Sequence, residues 1–334
     1  MFILKTYEIN ENNFKTYKED EEYLQAEEIY ITTGVKRYGS EELILESYTI
    51  NSHQRVKIIH ISNVSELFRH AIYACPQLKE IICEDDILKS LPDGSISDCS
   101  CIEKVSLHEG LVICNTFACT SLRSIQFPST VRDITRCCDG CVLLESAVLP
   151  EGLTVIGGKA FFGCTNLQTV QLVDTIEVIE CNAFSDCIKL SLFTLESSGF
   201  VYQDNFALAK LVNCRIIGDY AFSCCTSLSV SFTVPFIEEL HYKCFQHSAI
   251  TGFSVSSRLR VLDNPFVGAR KLQKLNFEKG VPISHFENLL SQDIFSDTEI
   301  RLEVKLRELQ THSNMNSIGT SRRNKNLFRL EGEI

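Results

Sequence analysis

The phrase I-x-x-x-A-F-x-x-C-x-x-L-x-x-V-x-L recurs along this chain, most clearly in IGGKAFFGCTNLQTVQL (Ile156 to Leu172) and IECNAFSDCIKLSLFTL (Ile179 to Leu195). Such recurrence constrains the fold more than local propensity does. One unit cannot bury its own apolar face and becomes stable only by stacking on its neighbours.

Phase is set on the Phe of A-F. Phe161, Phe184, Phe222, Phe245 and Phe266 occupy that slot, with Cys164, Cys187 and Cys225 three residues on and Leu167, Leu190, Leu228 and Leu272 six residues on. The steps from Phe161 to Phe184 and from Phe222 to Phe245 are both 23 residues. Upstream, the slot holds Cys138 (then Cys141 and Leu144), Ile96 (Cys99, Ile102) and Ile72 (Cys75, Leu78). Phe117 also fits, but its Cys119 and Leu122 each come one residue early. Two further irregularities stand out. The step from Phe184 to Phe222 is 38 residues, which calls for either a degenerate coil around Phe206 or a protruding loop. After Leu228, Val230, Phe232 and Val234 alternate one residue out of register with the other strands.

Within L-x-x-V-x-L, two apolar residues stand at strand spacing, so Val170 and Leu172 point into the core and Thr169 and Gln171 point out. The I-x-x-x-A-F segment supplies the opposite wall, where Phe fills the interior and Ala160, Ala183 and Ala221 keep neighbouring turns close. Cys in the following slot is small and apolar enough to bury. Parallel strands about 4.8 Å apart would carry roughly nine or ten coils into a body about 45 Å long.

These residues resemble the BspA-like leucine-rich repeats, whose units read close to C-x-x-L-x-x-I-x-L-P-x-x-L-x-x-I-G-x-x-A-F. Ile156-Gly157 and Ile217-Gly218 match the I-G pair, and Pro128, Pro150 and Pro235 match the Pro closing the strand, where its missing N–H does no harm. The fold expected is an α/β solenoid: a leucine-rich-repeat array with parallel strands on one face and short helical or irregular turns on the other. The resemblance further implies an interaction scaffold, in a family often associated with microbial surface proteins, adhesion and host contact. It carries no catalytic residues.

The organisation expected is an N-terminal cap over residues 1–54, a repeat array over 55–280, a C-terminal cap over 281–310 and a flexible tail over 311–334. Ile29-Tyr30-Ile31 and Leu43-Ile44-Leu45 offer strands to cover the first coil, since an uncovered terminal coil would expose its core. Ser284-His285-Phe286-Glu287 has capping-box spacing and predicts a short helix. Ile300, Leu302, Val304 and Leu306 alternate as a strand, although Leu302, Leu306 and Leu309 also suit a helix.

A formal net charge of -11 disfavours nonspecific binding to nucleic acid or anionic membranes. The run Arg322-Arg323-Asn324-Lys325 reads better as part of a solvated tail than as an import signal. No stretch approaches the roughly 18 apolar residues of a membrane span, and MFILKTYEINENN lacks the apolar core of a secretory signal. A cytoplasmic location is therefore expected; the surface location common in the resembling family is the alternative, and only then would the sequon at Asn63 matter.

The 16 cysteines invite a thiol- or metal-dependent reading. About half fall in the repeat slot, as a buried packing ladder predicts, and structural free thiols are expected. Cys138-Asp139-Gly140-Cys141 is a C-x-x-C, but it occupies the Phe and Cys slots, and no second C-x-x-C follows at zinc-ribbon spacing. His241, Cys244 and His247 would need to share one face to grip a metal, yet Cys244 sits in the inward Ala slot. Phosphate-loop, dinucleotide, metalloprotease and nucleophile-elbow motifs are missing. No catalytic site, cofactor or metal is expected.

What remains is the outward face of the parallel sheet. Its columns read Glu80, Lys104, Ser124, Ser146, Thr169, Leu192, Lys274 and Ile82, Ser106, Gln126, Val148, Gln171, Thr194, Asn276. Ser124, Gln126, Val148, Thr169, Gln171, Leu192 and Thr194 are the candidate protein-binding residues of a noncatalytic scaffold, with the convex side or the long interval before Phe222 as other candidate surfaces. Neither the partner's identity nor the oligomeric state can be read from the pattern.

Overall fold

The computed structural model describes residues 5–118, 120–195, 211, 213–272, 274–277, 302–306 and 328–330. The chain winds as a β-solenoid whose front wall is built from parallel strands. β1 (Thr6–Ile9), β2 (Glu28–Ile31), β3 (Ile58–Ile61), β4 (Glu80–Cys83) and β5 (Lys104–Ser106) form one 5-stranded sheet in that order. A 4-stranded sheet follows, with β6 (Ser124–Gln126), β7 (Ser146–Val148), β8 (Thr169–Leu172) and β9 (Leu192–Leu195). The last is 5-stranded: β10 (Ser231–Thr233), β11 (Gly252–Val255), β12 (Lys274–Phe277), β13 (Leu302–Leu306) and β14 (Phe328–Leu330). All front pairings are parallel, and β1 and β2 pair residue by residue with the repeat strands, Ile29 standing opposite Ile59. The alternation over Leu302, Val304 and Leu306 is realised as strand, pairing with β12. The helix expected from Ser284 lies outside the described residues.

The front strands earn their place by alternation. In β8, Val170 and Leu172 are buried while Thr169 and Gln171 are half-buried on the outside, as a period of two requires. On the opposite side, where short helical or irregular turns are expected, the described residues of the repeats form no helix. Among the described residues the only α-helix is Glu21–Gln25, before the repeats, with Asp20 capping it by accepting from the Glu22 N–H at 2.9 Å. The second wall is made of two-residue parallel strands such as Val155–Ile156 on Val178–Ile179 and Ile216–Ile217.

The A-F segments cannot be helical because they alternate hand. Lys159, Asn182, Tyr220 and Lys243, two residues before each Phe, have φ of 58, 56, 55 and 55°. Gly163, Asp186, Cys224 and His247, two residues after it, have φ of 67, 63, 60 and 54°. This zigzag turns alternate N–H groups along the solenoid axis. Lys159, Phe161 and Gly163 donate to the carbonyls of Cys181, Ala183 and Ser185 at 3.0, 2.8 and 2.8 Å, so the A-F segment is a third hydrogen-bonded wall.

Between the walls lies one continuous apolar core. Its axis is a column of rings: Phe161, Phe184, Phe222, Phe245 and Phe266 stack with centroids 5.4, 5.3, 5.4 and 5.7 Å apart and planes within 19° of parallel. Each such pair contributes about 0.5–1.5 kcal/mol beyond the area it buries. The long interval before Phe222 does not interrupt the column. Ile179 pairs directly with Ile217, and the Phe184 N–H donates to the Ala221 carbonyl at 2.8 Å, so no whole coil is squeezed in there. The protruding-loop reading concerns residues outside those described. The out-of-register run after Leu228 is resolved by β10, where Phe232 turns inward between Phe222 and Phe245 with ring centroids 5.8 and 5.0 Å away.

A left-handed backbone costs a non-glycine residue about 1–2 kcal/mol, whereas glycine tolerates it at a smaller entropic penalty. Cys224 is one such residue, half-buried, at the position that Gly140 and Gly163 fill in earlier coils and Asp186 and His247 fill in the two adjacent ones. Cys224→Gly should therefore raise stability by about 0.5–1 kcal/mol, read as a shift in the denaturant midpoint; a loss of stability would contradict the strain argument.

Candidate interaction face

The front wall sets outward side chains in two columns, rungs about 4.8 Å apart. In β6 to β9 the register places Ser124, Ser146, Thr169 and Leu192 in one column and Gln126, Val148, Gln171 and Thr194 in the other. Ser124 and Gln126 are exposed, and Ser146, Val148, Thr169 and Gln171 are half-buried by their neighbours. All seven candidate residues are thus in one sheet, although burial of Leu192 and Thr194 is outside what the structure describes. The sheet carries no charged residue in either column. Glu80, Lys104, Ile82 and Ser106, expected in the same columns, belong instead to the N-terminal sheet, and Lys274 and Asn276 to the C-terminal one.

The N-terminal sheet has a different surface. Its outward residues include Glu28, Tyr30, His60, Glu80 and Lys104, with Lys104 Nζ 2.5 Å from Glu80 Oε1. The His60 ring stacks on Tyr30 with centroids 4.1 Å apart; its Nε2 lies 2.8 Å from Glu28 Oε1 and its Nδ1 contacts Glu84. Sequence reasoning missed this group because β1 and β2 lack the A-F-x-x-C phrase. The alternation in Glu28-Ile29-Tyr30-Ile31 was the available signal.

The cysteine slot proves to have a hydrogen-bonding role. The thiols of Cys141, Cys164, Cys187 and Cys225 donate to the carbonyls of Phe117, Cys138, Phe161 and Phe184 at 2.8, 3.1, 3.1 and 3.2 Å, each reaching the Phe slot of the preceding coil. In other coils, Thr120 and Ser248 fill the slot, and their hydroxyls donate to the carbonyls of Phe117 and Phe245 at 2.9 and 2.8 Å. Thr120 therefore holds the position assigned above to Cys119, which lies outside the described residues.

Burial pushes Cys83 and Cys214 up to about 12 and holds Cys164, Cys187, Cys225 and Cys244 well above the ordinary thiol range, because a thiolate there would be desolvated. Cys138 and Cys141 are fully buried, as is Cys244, while His241 turns to Glu239 at 2.9 Å and His247 packs on Gly268. The three residues His241, Cys244 and His247 do not converge. Among the described residues no group of three or more His, Cys, Asp or Glu side chains is placed to hold a metal ion. No described helix is long and apolar enough to cross a membrane.

The winding, the Phe column and the repeat phrase together agree with the family comparison. The model of the BspA-type leucine-rich repeat region matches in 6 copies over residues 40–138, 135–214 and 200–321, and the chain belongs to that family. No curated protein matches it. Among solved structures, it is similar to a leucine-rich cell surface protein from Faecalibacterium prausnitzii (15% identity, 78% of this chain and 89% of the other covered, TM-score 0.36). It is also similar to the pneumococcal vaccine antigen PcpA (12% identity, 98% and 83% covered, TM-score 0.41). A leucine-rich repeat protein from Eubacterium ventriosum matches at 16% identity, with 74% and 83% covered and a TM-score of 0.42.

Thiol reactivity tests the ladder. A maleimide applied to the native chain, with labelled sites read by peptide mass spectrometry, should mark Cys101 and Cys181 promptly, the half-buried Cys224 slowly, and the 12 buried cysteines only after unfolding. Rapid native labelling of Cys187 would refute its place in the core.

Proposed function

We propose that this chain is a noncatalytic scaffold that binds a protein partner through the outward face of β6 to β9. One observation carries the reading: on a chain with net charge -11, this sheet presents two columns without a charged side chain. Charge depletion at the centre of a contact surface is the compositional mark of protein interfaces, where an unpaired ion would lose its hydration. Ser124, Gln126, Val148, Thr169, Gln171, Leu192 and Thr194 form the contact. The shallow columns suit an extended contact better than a small molecule, which usually needs a concave pocket.

The test is a photo-cross-linker placed at Gln126 or at Gln171 in the native cells, with identification of the attached protein, followed by affinity measurements on charged variants. Gln171→Glu and Thr169→Lys should each weaken the captured partner by about tenfold or more, since each would bury an uncompensated charge. Undiminished binding in both variants would move the interface elsewhere.

We further propose an intracellular location, in which closely spaced thiols such as those of Cys114 and Cys137, with sulfurs 3.8 Å apart, would stay reduced. Protease treatment of intact cells carrying a tagged chain should leave it whole. Complete digestion would replace this reading with that of a surface adhesin.

A further inference from the structure

We infer that the solenoid carries a strand-addition site at a seam between β5 and β6, taking an extended, uncharged segment of a partner protein through its backbone. Every consecutive pair of strands from β1 to β5 and from β6 to β9 is paired, yet β5 and β6 are not. The coil there is also short. From Lys104 to Ser124 the chain spends 20 residues on one turn, against 22 from Ile58 to Glu80, 24 from Glu80 to Lys104, and 22 and 23 on the two turns after Ser124. This is the coil in which Leu122 follows Phe117 one residue early.

In a parallel ladder, alternate residues turn their N–H and C=O to opposite neighbours. The Lys104 N–H donates back to the Lys79 carbonyl at 3.1 Å, so Val105 and Leu107 face the seam. On the far lip, the Ser146 N–H donates to the Arg123 carbonyl and the Phe127 N–H to the Val148 carbonyl, at 3.3 and 3.2 Å, so Ser124 and Gln126 face the seam from the other side. No hydrogen bond of the described residues joins 103–107 to 123–127 across it.

Burial points to an opening by an independent route. Inward residues of neighbouring strands are sealed: Ile81 is 1% exposed, Ile125 3%, Cys83 2% and Phe127 4%. Val105 and Leu107, which share their levels in the wall, are only partly buried against the core. The same coil is out of step behind the seam too, where the Ile96 N–H is satisfied by the Thr116 hydroxyl at 2.7 Å.

The chemistry of the lips selects the occupant. Unpaired peptide groups recognise another peptide backbone, and the apolar floor of Val105 and Leu107 favours a small apolar side chain pointing in. Nearby charges are already matched: Lys104 with Glu80, Glu103 with Lys79, and Arg123 with Glu145. Ser106, Ser124 and Gln126 leave the rim uncharged. This site is distinct from the outward face of β6 to β9, since it uses backbone edges and not side-chain columns.

The experiment is amide hydrogen exchange on the whole chain, alone and with a peptide copying residues 166–173, an uncharged segment that already pairs within this front wall. In the free chain the amides of Val105 and Leu107 should exchange at least about a hundredfold faster than that of Ile81 in the sealed wall, and the peptide should slow them about tenfold or more. The same peptide N-methylated at alternate residues should leave them unchanged. Protection of Val105 and Leu107 in the free chain equal to that of Ile81 would overturn the proposal by showing a closed wall. So would failure of the peptide to protect either lip, or equal protection by the N-methylated form. Protection that persists in Gln171→Glu stands even where the outward face proves not to be the scaffold's contact.

Discussion

Each coil of this chain leaves its peptide groups to be satisfied by the coils on either side, and that obligation governs the rest of the structure. A buried N–H or C=O without a partner costs on the order of a hydrogen bond, so each turn must present its donors at the height where the next presents acceptors. Three walls meet this demand by different means: extended strands in front, two-residue strands behind, and the alternating-hand A-F segment. The last explains why residues as unlike as Lys159, Asn182 and Tyr220 share one backbone conformation. Their position in the stack sets their φ, and the side chain conforms at a cost.

The same obligation gives the cysteines their meaning. The Phe161 carbonyl already accepts from the Cys164 N–H within its own turn at 3.2 Å, and the Cys187 thiol adds a second donor from the following coil. A residue in this slot must be small, tolerate complete burial and offer a donor, and thiol and hydroxyl both qualify. Thr120 and Ser248 fill the slot with hydroxyls that donate instead to the Phe-slot carbonyl of their own turn, at Phe117 and Phe245. For Cys141, Cys164, Cys187 and Cys225, packing and carbonyl satisfaction together account for the residue type.

Much of this was legible in the repeat phrase. The Phe column, inward Val170 and Leu172, and the burial of Cys164 and Cys187 all follow from phase and alternation. The turns were not legible, because A-F-x-x-C is as compatible with one helical turn as with a zigzag of alternating hand; only the inter-coil hydrogen bonds of Lys159, Phe161 and Gly163 distinguish them. The strand at Ile29-Tyr30-Ile31 was legible, but its place as a rung of the ladder and the whole of β1 were not, because strand alternation over four residues is a weak signal without the A-F anchor. For the candidate face, the composition of the columns could be read directly. Their division into three sheets could not, since whether adjacent strands pair depends on coil length in three dimensions and not on the residues facing outward.

That division bears on how the uncharged face works. Among the described residues, the ladder is interrupted between β5 and β6 and again between β9 and β10, so the four strands carrying Ser124 to Thr194 have no described partner at either end. These strands pair with one another throughout, while the β5 and β6 coils are joined on either side of the seam, where the Ser121 hydroxyl donates to the Ser100 carbonyl at 2.8 Å and the Gly110 N–H to the Thr130 hydroxyl at 2.9 Å. Behind the first break the second wall runs through, with the Cys114 N–H on the Asp133 carbonyl at 2.9 Å and the Arg132 N–H on the Val112 carbonyl at 2.8 Å. The front of this coil is therefore unpaired between two bonded flanks and over a paired back. A one-residue slip in the phrase at Phe117 thus does more than mark repeat decay: it leaves peptide groups and the apolar edges of Val105 and Leu107 beside the face that lacks charge, where an arriving backbone would satisfy both.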